Sequence, residues 1–119
     1  MTERKKVFTV VIADGPYTKE RPFTMLRFVY TALLEGHQVN VFLVEDGIFA
    51  GKKNQEPASH DNIGKWMADV IEEGAKIAAC SVCMKARGIS EGELIDGISV
   101  TTMHGFVDMC VRADNILFS

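Results

Sequence analysis

VFTVVIA, residues 7–13, is a run of β-branched and apolar residues with one hydroxyl in it, closed by Asp14-Gly15-Pro16. A strand wetted on one face alternates polar and apolar residues. This one hardly alternates, so it reads as a strand covered on both faces, the habit of parallel sheets held between helices.

The rest of the chain repeats that theme. From Pro22, suited to a first helical turn, Leu26, Val29, Tyr30 and Leu33 recur at helical spacing up to Gly36, a C-terminal cap. QVNVFLV, residues 38–44, reads as a second strand. Residues 45–60 read as a long polar, glycine-containing connection with Ile48 and Phe49 as its few apolar anchors. Connections of that length are uncommon in a compact domain and often functional, so this one is expected to be mobile and to wall a site. Asp61 is placed to cap a helix carrying Ile63, Trp66, Met67, Val70 and Ile71 and ending at Gly74. A third strand follows at 76–79, then a short helix at 81–87 ended by Gly88, and Ser90 with Glu93 spells a capping box. Residues 98–102 are a fourth strand. Met103, Phe106, Val107, Cys110 and Val111 mark a last helix, and residues 115–118 a fifth strand. Strands alternating with helices predict an α/β fold, a three-layer α/β/α sandwich around a five-stranded parallel sheet. A chain of 119 residues suits one domain.

Hydrophobic residues make up 47% and charged ones 24%, enough apolar surface for a packed interior rather than a disordered chain. The formal charge is -3 and the one basic block is Arg4-Lys5-Lys6, which argues against direct nucleic-acid binding. No apolar run approaches the roughly 18 residues of a membrane span. The start imitates a signal peptide, but Thr9 interrupts its apolar run, which ends at Asp14-Gly15 instead of a small-residue cleavage site. It reads as the first strand of a cytoplasmic protein. Three cysteines, an odd number, also fit a reducing compartment.

In open parallel sheets the loops after the strands converge on one edge, where ligands and catalytic groups collect. That edge gathers Asp14 and Tyr17, then Glu45, Asp46 and Gly47, then Cys80, then residues 102–104 with His104. Cys80 and Cys83 lie in AACSVCMKARG, residues 78–88. A helix N-terminus favours the thiolate over the thiol, and Lys85 and Arg87 add positive charge. Glu45 and Asp46 oppose ionisation, so the sequence leaves the sign of the net pKa shift open. Cys80 is either a working thiol or a small buried hydrophobe at a strand end, and its position with a second cysteine favours the thiol. For Cys83 the two readings balance. Cys110, on an apolar stripe, reads as core. A zinc site needs two more ligands than C-x-x-C supplies, and His60 and His104 would have to bring them from separate loops. Asp14, Glu45 and Asp46 line the site or simply form solvated turns; Gly15 and Gly47 read as turn glycines. No metal and no cofactor is expected, and no phosphate-binding glycine pattern is present.

Three stretches together resemble the DsrE/DsrF-like family. GHQVNVFLVEDGI, residues 36–48, resembles its second strand and glycine turn. ACSVCMKARGI, residues 79–89, resembles its cysteine segment, and GFVDMCVRADNILFS, residues 105–119, its final helix and strand. The resemblance implies a small α/β/α protein of a sulfur relay, carrying sulfur as a cysteine persulfide and assembling as a trimer or hexamer. It places the sulfur-accepting thiol at Cys80, eight residues before Gly88. Cys83 is a second cysteine that TusD-type members lack, which introduces two-thiol chemistry with Cys83 as a resolving thiol. The implied partners are sulfur-donor and sulfur-acceptor proteins and further copies of the chain, and Ile48, Phe49 and Phe106 are expected to be incompletely covered in one copy. Two rival readings stand beside this one: a thioredoxin-like dithiol protein, whose Trp-Cys-Gly-Pro-Cys context is missing, and a non-catalytic assembly or ligand-binding subunit with structural cysteines.

Overall fold

The computed structural model describes residues 4–119. Its strands are β1 (Val7–Ile12), β2 (Gln38–Leu43), β3 (Lys76–Cys80), β4 (Ile98–Thr101) and β5 (Asn115–Phe118), all paired in parallel in the order β4-β3-β2-β1-β5. The helices are α1 (Arg21–Leu34), α2 (Ile63–Glu72), α3 (Ser81–Ala86) and α4 (Met103–Arg112). The fold is α/β with a five-stranded parallel sheet, as the alternating elements predict.

Two adjacent residues of β1 establish the layers. Phe8 meets Phe28 of α1 edge-on with ring centres 5.2 Å apart, and Thr9 donates its hydroxyl to the Met109 carbonyl of α4 at 3.0 Å. Neighbouring strand residues point to opposite faces, so α1 and α4 lie on opposite sides of the sheet. α2 joins the α1 layer through Trp66, edge-on to Phe23 and Tyr30. On the α4 side, Phe106 stacks on buried Phe42 of β2 at 4.3 Å. The hydroxyl that interrupted the opening run is therefore fully buried and satisfied, and it ties α4 to the sheet.

Three expectations need correction. The 45–60 connection is not a poorly anchored loop. Its first half is a 3₁₀ helix, Glu45–Gly51, in which Gly47, Ile48, Ala50 and Gly51 are buried. Ile48 is fully covered within one copy, and Phe49 and Phe106 pack against the core. Covering a side chain such as Ile48 contributes about 2 kcal/mol, so the segment is held to the sheet. The cap of α2 is Asn62, whose side chain accepts from the Lys65 amide at 3.1 Å, while Asp61 accepts from the Trp66 indole. Cys110 is half-buried and stands outside the core cluster, because α4 buries no residue completely. Among the described residues no helix is long and apolar enough to cross a membrane.

Candidate functional site

β3 runs directly into α3, and Cys80 is the cap residue between them, in extended conformation. Its side chain belongs to the core cluster and is 5% exposed. Cys83, one turn on, is half-buried at the surface of the same junction. β2 ends beside β3, which brings Glu45 over α3. The Glu45 amide donates to Cys83 Sγ at 3.1 Å.

Glu45 holds a left-handed backbone, φ 53°. A non-glycine residue there costs about 1 kcal/mol, and such strain gathers at functional sites. Asp46 accepts from Arg87 Nε at 2.9 Å, and Arg87 Nη1 donates to the Cys83 carbonyl at 3.2 Å. One guanidinium thus joins the 3₁₀ segment to the residue whose sulfur the segment contacts. Partial burial pushes the Cys83 thiol up from its ordinary pKa. The Glu45 amide and the Arg87 charge oppose that rise, and the neighbouring Cys80 sulfur reinforces it.

Gly47 is not a turn glycine of the positive-φ kind. An added Cβ would overlap the Ile12 carbonyl oxygen, so glycine is needed there for close approach of the segment to the end of β1. Tyr17 and Asp46 share the walls of a small cavity of about 310 Å³ with Gly15, Pro16, Thr18 and Phe49. Asp14 is drawn toward Arg21 at 3.5 Å, and one of its carboxylate oxygens is buried without a hydrogen bond. His104 is exposed near the start of α4, with no hydrogen bond or ion pair among the described residues. The structure therefore joins Cys80, Cys83, Glu45, Asp46 and Arg87. No contact described for Asp14, Tyr17 or His104 is to either thiol. Among the described residues no three histidine, cysteine or acidic side chains are grouped to hold a metal ion.

Sequence reasoning missed Gln55. Its amide nitrogen donates to the carbonyls of Phe49, Ala50 and Lys52, and its amide oxygen accepts from the Tyr17 hydroxyl at 2.6 Å. The same hydroxyl accepts from the Ile63 amide at 3.1 Å. Nothing in a single polar residue within a polar stretch signals such a hub. Beside it, His60 stands edge-on to Tyr17 and Phe23, with Nδ1 2.8 Å from the Asp61 carbonyl and Nε2 3.4 Å from the Glu20 carboxylate. The Asp61 carbonyl first, and Glu20 with it, raise the His60 pKa above 6.5 against some desolvation. A raised folded-state pKa favours the folded state fully below 6.5, and that contribution is lost as pH climbs through the raised value. An NMR titration should place the His60 midpoint above 6.5, with Glu20→Gln bringing it down; a wild-type midpoint at or below 6.5 contradicts this arrangement.

Known proteins bear out this architecture. The chain is 47% identical over 112 residues to an uncharacterized protein of Methanopyrus kandleri, covering 94% of this chain and 93% of that one. It is 31% identical to protein YchN of Escherichia coli, over 91% of this chain and 95% of YchN. The crystal structure of YchN superposes with a TM-score of 0.90 at 26% identity, over 98% of this chain and all of that one. A protein of unknown function from Methanobacterium thermoautotrophicum shares the fold, with a TM-score of 0.78 at 14% identity over 98% of this chain. The DsrE/DsrF-like family pattern matches residues 6–118, and the chain belongs to that family.

Proposed function

We propose that this protein carries sulfur as a cysteine persulfide at the Cys80–Cys83 pair, receiving it from a sulfur-donor protein and passing it to an acceptor. The observation that carries this reading is a pair of free cysteines at the carboxyl edge of a parallel sheet, with a backbone amide on one of them. A thiolate attacks the outer sulfur of a donor persulfide, the donor thiolate leaves, and the sulfur rides as Cys–S–SH. The second thiol can attack the inner sulfur, forming a Cys80–Cys83 disulfide and releasing hydrosulfide. Neither step needs a metal or prosthetic group, and both need free thiols, which suits a reducing cytoplasm.

The assembly we propose is a homo-oligomer, a trimer or hexamer. Its support is the number of large apolar side chains that α4 and β5 leave exposed in one copy: Met103, Val107, Val111, Ile116 and Phe118. This is a different set from the Ile48, Phe49 and Phe106 expected from sequence.

Mass spectrometry of freshly purified protein tests the carrier reading. The peptide holding Cys80 and Cys83 should bear an extra sulfur, removed by a reducing thiol, after exposure to a persulfide donor. Simple loss of two hydrogens, with no sulfur gained from the donor, favours the dithiol redox reading instead.

A further inference from the structure

We infer that Cys83 is the outer thiol, which meets the donor first, and that Cys80 is the inner site to which the sulfur is then handed. The inference rests on the persulfide reading and reverses the order that the resemblance implies. Cys80 is 5% exposed within the core cluster, so a donor has little access to its sulfur. Cys83 is partly open, next to exposed Val82, and its sulfur already has a donor group aimed at it. The strained φ of Glu45 turns that amide toward the sulfur, and Arg87 holds the arrangement by bonding Asp46 and the Cys83 carbonyl together. Arg87 is thus a positioning residue.

The titratable and charged groups that act on Cys83 are Cys80 from β3 and Arg87 from α3; the 3₁₀ segment brings the Glu45 amide to the sulfur, and its Asp46 carboxylate is paired with Arg87. In the first step the Cys83 thiolate attacks the outer sulfur of a donor R–S–SH. The donor S–S bond breaks, R–S⁻ leaves, and Cys83–S–SH forms. In the second, Cys80 as thiolate attacks that outer sulfur, and Cys80–S–SH forms as Cys83 departs and takes up the proton Cys80 released. No electrons are gained or lost overall. Cys80 holds the sulfur where small thiols of the solvent reach it poorly, and the reverse exchange returns it to Cys83, where an acceptor thiolate can take it.

Glutathione persulfide is a suitable probe donor. Wild-type protein is mixed with it, quenched by alkylation at successive times, and the extra sulfur is located by fragmentation of the peptide. The sulfur should appear on Cys83 and then on Cys80. Cys80→Ser should load at least as fast as the wild type but hold its sulfur briefly, and Cys83→Ser should load about tenfold more slowly. Cys83→Ser loading at the wild-type rate overturns this assignment and leaves the carrier reading intact. Failure of the wild type to load overturns the carrier reading itself. The pH profile of Cys83 alkylation in Cys80→Ser tests the role of Arg87. Arg87→Met should move its midpoint up by about one pH unit, a roughly tenfold slower reaction near neutrality, with Arg87→Lys only partly restoring it. An unchanged profile in Arg87→Met removes the positioning role.

Discussion

Gly47→Ala is expected to destabilise the protein by about 3 kcal/mol, at the upper end for overpacking, with a matching fall in the urea midpoint. The added methyl would be driven into the Ile12 carbonyl oxygen, a backbone atom at the end of β1 that cannot rotate away. Relief requires the 3₁₀ segment to lift off the sheet, which uncovers Ile48 and Ala50, both fully buried. Function should suffer with stability. Glu45 lies two residues away, and lifting it withdraws the amide from Cys83 Sγ. The alkylation midpoint of Cys83 should therefore rise in the folded variant. Gly92 is the natural control, because its position has no positive φ and no atom within reach of an added Cβ. Gly92→Ala should leave stability within about 0.5 kcal/mol of wild type and the Cys83 alkylation midpoint unchanged. A Gly47→Ala protein as stable as Gly92→Ala would show that the segment does not pack against β1 as described.

The second large effect is on assembly. Val107 and Val111 lie one turn apart on the outer side of α4, 53% and 76% exposed, and neither contributes to the core of one copy. Replacing both by aspartate should change the stability of the isolated fold little, because exposed positions away from caps and cores tolerate charge. The same change places two carboxylates in the centre of the proposed interface, where a buried unpaired charge costs several kcal/mol. Light scattering should therefore report a trimer or hexamer for the wild type and a 13.2 kDa monomer for the double variant. A wild-type monomer at micromolar concentration refutes the assembly. An unaltered oligomer in the double variant moves the interface to another face.

Much of the fold was legible because it is written in short-range patterns. β-branched runs without alternation marked the doubly covered strands, and apolar residues at helical spacing marked the helices. Gly36, Gly74 and Gly88 marked helix ends, and all three adopt positive φ there, 92°, 111° and 68°. The capping box of Ser90 and Glu93 formed as spelled. The place of Cys80 followed from the same logic, since a strand that passes directly into a helix leaves one residue at the junction.

Residues 45–51 defeated that logic. Their polar and glycine content reads as a loop, and Ile48 and Ala50 are buried because the segment packs among β2, β3, α2 and α3. Arg87 and Asp46 are 41 residues apart, and Glu45 and Cys83 are 38 apart. No local period encodes such pairs. The stripe of α4 shows the same limit from another side. Phe106 and Met109 turn inward while Val107 and Val111 face out, although both pairs are apolar. The sequence by itself determined which segments form strands and helices and which residue ends the third strand, because hydrophobic period and backbone conformation act over a few residues. The tertiary structure decided which thiol is open, which amide touches it and which apolar face is left uncovered, because burial and long-range hydrogen bonds exist only once distant segments share one space.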